Sequence, residues 1–256
     1  MDAGYLGRKM GEGFISISFV EIDKSMTKWF VELIGNPKDL QFIAVYLNSS
    51  ELNIFNEKNS YYLESNKFDP IESSTDIKAI ADNLIDILNG AAILYYPRFQ
   101  RVTYRQIHRV NDDGKRQIFG FLTAQGPTTM YYGFSDDDDT LSEWLEIGQK
   151  DDAVARAFTL YGALEHNWKN LYMVLDVIQE DLDREKNQTK QKWLEANKIK
   201  LFKRTANSYG AVGKEARHGK TSFKRPKKPM DIRDAQILLD SLLKEWIQHK
   251  KRNQRI

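Results

Sequence analysis

The chain has 256 residues, 41% hydrophobic and 12% aromatic, enough to bury a sizeable core in one large domain or two ordinary ones. Cysteine is absent, so disulfides, thiolate metal sites and a cysteine nucleophile are excluded. No apolar run approaches the roughly 20 residues that span a bilayer, and the first residues lack the apolar region of a secretory signal, so we expect a cytoplasmic protein without a membrane partner.

The net charge of +2 conceals two blocks of opposite sign. Residues 136–152 contain eight acidic residues and one lysine, whereas residues 198–228 contain eleven lysines and arginines and one glutamate. Blocks of this kind indicate partners and solubility rather than a fold. The basic block favours a polyanionic ligand.

The first 135 residues predict an α+β domain with a mainly antiparallel sheet. Apolar and polar residues alternate over 14–19, which is the period of a half-buried strand. Other apolar segments bounded by turn-like stretches predict strands at 28–34, 41–47, 51–55 and 60–63.

A hairpin and one helix complete this predicted domain. Residues 101–110 and 116–122 flank an Asp-Asp-Gly turn, as in a β-hairpin. From Thr75 to Asn89 the apolar residues recur at helical spacing. Ser74 is the predicted N-cap of this helix, and Gly90 is its predicted end.

The remainder predicts a helical bundle over 151–256, joined to the first domain by an acidic linker at 136–150. An apolar face from Val154 to Leu182 would form a helix of roughly 48 Å if it were unbroken, with a kink or break expected at Gly162. Trp193, Leu194 and Ile199 predict a shorter helix. The last helix is predicted to begin at Ile232, with Asp231 as its cap.

Three constellations have a structural and a functional interpretation. Asp136 to Asp139 could bind a divalent cation, although a solvated linker is favoured. Alternation places Arg101, Arg105 and Arg109 on the strand face opposite His108, where they would contact phosphate or, as we favour, only solvent. We interpret His166 as a partly buried histidine with its hydrogen bonds satisfied.

The strongest candidate site lies at the end of the segment 205–220, which is rich in small residues. His218 could transfer a proton near neutral pH, and the adjacent Arg217 could hold a phosphate. In the alternative interpretation the small residues permit close helix packing, and both side chains bond to C-terminal carbonyl groups. The residues predicted to contact nucleic acid are Lys198, Lys203, Arg204, Lys214, Lys220, Lys224 and Arg225.

The order of motifs in the C-terminal half carries a family resemblance. A long helix contains EHNWKNLY, and a basic helix, the motif EARHG, a Pro-containing connection and an amphipathic helix follow. Over roughly residues 150–250 this resembles the HEPN superfamily (higher eukaryotes and prokaryotes nucleotide-binding), and implies a small helix bundle. The resemblance implies a homodimer that binds RNA or a nucleotide, in bacterial phage defence or a toxin system.

Two alternatives stay open beside this binding function. The first is a metal-independent HEPN-type RNase that uses His218 with Arg217, although active members place the histidine several residues after the arginine. The second is a non-catalytic module for protein interaction or dimerisation. No cofactor or metal is predicted.

Overall fold

The structure, a computed structural model, describes residues 28–47, 49, 51–111, 113–120, 140–162, 166–184, 196–220 and 222–253. The strands are β1 (Lys28–Ile34), β2 (Leu52–Glu57), β3 (Ser60–Ser65), β4 (Thr103–Val110) and β5 (Arg116–Gly120). The helices are α1 (Pro37–Tyr46), α2 (Ser74–Tyr95), α3 (Thr140–Lys150), α4 (Asp152–Tyr161), α5 (Trp168–Arg184), α6 (Ala196–Ala206), α7 (Tyr209–Val212) and α8 (Ile232–Asn253). The strand predicted at 14–19 lies outside the described residues.

The five strands form one sheet in the order β2-β3-β1-β4-β5, and every neighbouring pair is antiparallel. The α+β class, with the sheet in the N-terminal half and helices in the C-terminal half, is therefore confirmed. β1 lies at the centre, and its Trp29, Val31 and Leu33 are buried in the main hydrophobic core. The predicted hairpin corresponds to β4 and β5.

The strand predicted at 41–47 is wrong, because residues 37–46 form the helix α1. Asn36 caps this helix, with its Oδ1 accepting a hydrogen bond from the Lys38 amide at 3.0 Å, and Pro37 occupies the first turn. The described residues of the N-terminal half therefore contain two α-helices rather than the one predicted. Leu40, Phe42 and Ile43 turn the apolar side of α1 toward the core.

Helix α2 begins at Ser74 and continues through Gly90 to Tyr95, so the predicted cap and the predicted end are both wrong. The N-cap is Ser73. Gly90 is a packing position: a Cβ built there would lie 2.0 Å from the main-chain oxygen of Phe158 in α4. The missing side chain lets the two helices approach closely.

Residues 140–150 of the predicted acidic linker form helix α3 instead. Leu141, Trp144 and Leu145 are buried, since they pack into the same core as the sheet and the C-terminal helices. The hydroxyl of Ser142 donates to the carbonyl oxygen of Tyr46 at 2.8 Å, which ties α3 to α1. Residues 136–139 lie outside the described residues.

The long apolar face of the C-terminal half is divided at Gly162 between α4 and α5. Asp151 caps α4 by accepting hydrogen bonds from the amides of Ala153 and Val154. Helix α5 packs against α8. The apolar residues of both helices are buried, namely Trp168, Leu171, Leu175 and Ile178 of α5 and Leu239, Leu242 and Trp246 of α8.

A half-buried lysine links three of these helices. Lys250 of α8 contacts Asp181 of α5 at 2.7 Å and Asp151 at 2.9 Å, and the Trp246 indole also donates to Asp181 at 2.9 Å. Burial disfavours the charge of Lys250, but the two carboxylates outweigh that effect and raise its pKa. In the described part of the chain, no helix has both the length and the apolarity needed to cross a membrane.

The cap predicted for the last helix is confirmed. Asp231 Oδ1 accepts from the Arg233 amide at 2.8 Å, and α8 begins at Ile232. The predicted shorter helix corresponds to α6, in which Ile199 is buried, whereas Trp193 and Leu194 lie outside the described residues.

Candidate nucleic-acid interface

The basic block comprises α6, α7 and the extended segment that leads to α8. Phe202 anchors α6 because its ring packs against the rings of Trp168 and Tyr172 in α5. The segment then returns to the end of α6, where the Arg217 amide donates to the Ala206 carbonyl oxygen at 2.9 Å. A fixed framework therefore positions the basic side chains.

Most of the predicted nucleic-acid-binding residues are exposed. Lys203 is the exception, since it is half-buried and donates a hydrogen bond to the side-chain oxygen of Gln179. We define the basic surface as the exposed lysines and arginines of this block, which are Lys198, Lys200, Arg204, Lys214, Arg217, Lys220, Lys224, Arg225, Lys227 and Lys228. Glu215 is the only acidic residue between 198 and 228.

Arg217 connects this segment to α5. Its guanidinium donates to Asp176 Oδ2 at 2.8 Å and lies over the ring of Tyr172, 4.0 Å from the centroid. The Arg217 side chain is 36% exposed to solvent. The salt bridge and the cation–π contact orient the guanidinium, while its outer edge stays accessible to a ligand.

His218 faces a different partner. Its ring stacks on Phe223 with a centroid separation of 5.4 Å and an interplanar angle of 16°. The preceding helical turn ends at Glu215, so Arg217 and His218 lie outside any helix. The carbonyl contacts of the alternative interpretation are thus replaced by contacts to Asp176, Tyr172 and Phe223.

Two exposed aromatic residues accompany the basic side chains. Tyr209 keeps 52% of its surface exposed and Phe223 keeps 39%. They belong to neighbouring parts of the surface, because a Cβ at Gly210 would lie 3.7 Å from the Arg225 Cβ. The charges of this surface were predicted from the sequence, but the two rings were not. Aromatic residues near lysines in the sequence are the pattern that could have indicated them.

A second polar cluster lies on the sheet, and it corrects the predicted alternation along β4. Glu32 pairs with Gln106 whereas Leu33 pairs with Tyr104, so Arg105 is the extra residue of a β-bulge. Arg105 therefore reaches the same carboxylate as His108 instead of pointing to the opposite face.

The contacts of Glu32 show how this cluster is held. The Arg105 guanidinium donates to Oε1 at 2.5 Å, and the Ser60 hydroxyl donates to the same oxygen at 3.0 Å. His108 Nε2 lies 3.3 Å from Oε2. Burial would raise the pKa of Glu32, but the hydrogen bonds from Arg105 and Ser60 outweigh it and lower the pKa.

Burial lowers the pKa of His108, so an ionised carboxylate stands beside a neutral imidazole. Since a carboxylate only accepts, Nε2 carries the proton, and Nδ1 has no hydrogen-bond partner in the structure. The other two arginines of the predicted row are also engaged. Arg101 binds Asp86 at 3.0 Å, and Arg109 lies over the Trp29 ring.

The interpretation of His166 is confirmed. The ring is half-buried, and Nε2 donates to the carbonyl oxygen of Tyr161 at 2.6 Å. Nearby, burial and the neighbouring Asp240 raise the pKa of the Tyr161 hydroxyl. Among the described residues, no three His, Asp or Glu side chains converge as metal ligands, and the Asp136–Asp139 metal hypothesis lies outside them.

Comparison of the chain with models of protein families, with characterised proteins and with solved structures found no match. The HEPN resemblance therefore rests on the order of sequence motifs alone.

Proposed function

We propose that this protein binds nucleic acid, with the basic surface contacting the phosphate backbone. The supporting observation is that these cations are exposed and concentrated in one segment, while about half of the other lysines and arginines in the described chain are in ion pairs. Arg204, Lys214, Lys220, Lys224 and Arg225 have no carboxylate partner among the described residues. Elsewhere, lysines and arginines pair with Glu64, Asp82, Asp86, Glu32, Glu57, Glu180, Asp181 and Glu143.

Concentrated charge of one sign is costly to the folded state, because the cations repel each other. A polyphosphate ligand relieves that repulsion and releases counterions, which makes binding favourable and strongly dependent on salt. The nucleic-acid- or nucleotide-binding function implied by the HEPN resemblance agrees with this proposal. Homodimerisation through the helices and a role in phage defence stay predictions.

An anionic membrane is a less suitable partner. Basic helices that bind membranes insert an apolar face into the interface. The apolar residues of α6, Ile199 and Phe202, are buried against the protein, so that face is already occupied. The exposed residues of α6 include Lys198, Lys200 and Arg204 and no large apolar side chain.

The test is binding to a labelled RNA at several salt concentrations. Between about 50 and 200 mM salt, affinity should fall by about 10³-fold if about six phosphates are contacted. The double substitution Lys224→Glu and Arg225→Glu should weaken binding to all sequences alike and reduce the salt slope by about two.

Lys58→Glu with Lys115→Glu provides a matched control, since it changes the net charge equally at two exposed turns of the sheet. This control should bind RNA like the wild type. Equal losses in both double variants would mean that net charge alone drives the association. Absence of binding at low salt, or binding only to anionic lipid vesicles, would refute the proposal.

A further inference from the structure

We infer that the ligand of the basic surface is single-stranded nucleic acid, whose bases stack on Phe223 and Tyr209. This inference deepens the proposed function and rests on it. Duplex DNA or RNA presents phosphates at its surface but keeps its base faces stacked inside. Exposed aromatic rings between phosphate-binding cations therefore discriminate between the two classes of ligand.

Phe223 is suited to stacking because its orientation is fixed before any ligand binds. One face of the ring stacks on His218 at 5.4 Å and 16°, and the residue is still 39% exposed. Proteins that bind single strands use aromatic rings in this way, since every base has a π-face. A base stacked on the exposed part of Phe223 would extend a stack that already has two rings.

Tyr209 provides a second ring at 52% exposure. Gly210 follows it directly, and a Cβ there would lie 3.7 Å from the Arg225 Cβ, two residues from Phe223, so the backbone segments that carry the two rings lie side by side. Phe223 directly precedes Lys224 and Arg225, and the Gly210 beside Tyr209 lies next to Arg225, so both aromatic residues have cations near them. This combination matches a strand that alternates bases and phosphates.

The backbone between the rings leaves room for the strand. A Cβ added at Gly213 or Gly219 would have no neighbouring atom within 4 Å. Lys214 and Lys220 follow these glycines directly and are exposed. Sugar and phosphate groups can therefore approach the main chain closely, with a lysine beside each point of approach.

The experiment compares oligo(U) RNA, oligo(dT) DNA and a blunt RNA duplex, each of about 20 units, which exceeds the sites of about 4–16 nucleotides typical of single-strand-binding domains. Phe223→Ala and Tyr209→Ala should each weaken binding to oligo(U) by about five-fold to about a hundred-fold. Their affinity for the duplex and their salt slopes should stay unchanged.

Phe223→Trp retains a stacking surface and should bind oligo(U) like the wild type, which separates stacking from a folding defect. Val45→Ala is the control for loss of an exposed apolar side chain, at 59% exposure on α1. Preference for oligo(U) over oligo(dT) would assign RNA, and equal affinity would assign single strands of either sugar.

Two results overturn the inference while leaving the proposed function intact. The first is duplex binding as tight as oligo(U) binding. The second is unchanged oligo(U) affinity in both alanine variants while Lys224→Glu with Arg225→Glu still weakens it. If no nucleic acid binds at all, the inference and the proposed function fail together.

Discussion

Asn89 in α2 holds the main chain of Val102 with two hydrogen bonds. Its Nδ2 donates to the Val102 carbonyl oxygen at 2.9 Å, and its Oδ1 accepts from the Val102 amide at 2.8 Å. Both residues are buried, so the amide side chain replaces a strand neighbour for this part of the backbone. The pair fixes the chain just before β4 against the helix, and thereby helps to position the sheet relative to the helical layer.

Replacing Asn89 with Ala should strongly destabilise the fold. The amide and carbonyl of Val102 would both lose their partners in a buried site, at about 1–3 kcal/mol for each group. We therefore expect the free energy of unfolding, measured by urea denaturation, to fall by about 2–5 kcal/mol. Asn83→Ala on the exposed side of α2 is the matched control. Similar small effects in both variants would show that water satisfies Val102.

Gly90→Ala tests the close crossing of α2 and α4. In an open helix this change would stabilise by about 1 kcal/mol. Here the new methyl would lie 2.0 Å from the main-chain oxygen of Phe158, which cannot rotate away, and a Cβ on the opposing Gly162 would lie 2.7 Å from the Gly90 nitrogen. We expect a net loss of at least about 3 kcal/mol in unfolding free energy.

Gly120→Ala is the control for that experiment, because a Cβ there meets nothing within 4 Å. It should change stability by less than about 0.5 kcal/mol. A Gly90→Ala protein as stable as the wild type would mean that the helices can separate without cost, and that the crossing is less tight than its geometry indicates.

Local patterns predicted most strands and helices, and they failed where tertiary contacts decided the outcome. β1 has the predicted bounds because a short apolar segment is followed directly by the turn-like residues Gly35 to Asp39. Residues 41–47 have apolar residues that suit a strand or a helix, and the Asn36 cap with Pro37 determined the choice. Gly90 lies inside a helix, and its missing side chain makes room for the main chain of Phe158, a residue far away in the sequence.

The candidate sites show the same limit. The charge of the basic surface follows directly from composition, so its existence was predictable. The cluster around Glu32 was not, because one inserted residue in β4 reverses the direction of Arg105. Nothing in the sequence marks that bulge. Likewise, the stack of His218 on Phe223 depends on how the segment after α6 folds back, which no periodic pattern describes.

His108 should make stability depend on pH. Because burial lowers its pKa in the folded protein, the unfolded chain takes up a proton near the ordinary value of about 6.5 while the native state stays neutral. Stability contributed by this residue is therefore fully present above about pH 6.5 and is lost as the pH falls below it. Among the neighbouring charges, Glu32 and, more weakly, Glu57 raise the pKa of His108, whereas Arg116 lowers it.

The measurement is the free energy of unfolding in urea between about pH 7.5 and 5. The wild type should lose stability toward low pH with a contribution from His108 of at most about 1.4 kcal/mol per pH unit. His108→Gln should remove that contribution and flatten the curve. Identical slopes in the two proteins would mean that folding does not perturb His108.

Incubation of purified protein with RNA in the presence of EDTA tests the RNase alternative. His218 is stacked on Phe223, and Arg217 is held by Asp176, so the two side chains that would share a cleaved phosphate are directed to separate partners. General acid–base catalysis requires both groups within hydrogen-bond reach of the same reacting atoms. We therefore expect binding without cleavage.

Two variants distinguish a stacking role of His218 from a catalytic role. His218→Ala should bind oligo(U) more weakly, because removing the imidazole releases the Phe223 ring, and it should cleave no less than the wild type. Arg217→Ala removes a cation from the basic surface together with its contact to Tyr172, so it should reduce both affinity and stability.

Cleavage by the wild type that His218→Ala abolishes, with folding and RNA affinity retained, would instead establish His218 as catalytic. In that case Arg217 would have to leave Asp176 when RNA binds, and Asp176→Asn should then raise the rate of cleavage by freeing the guanidinium.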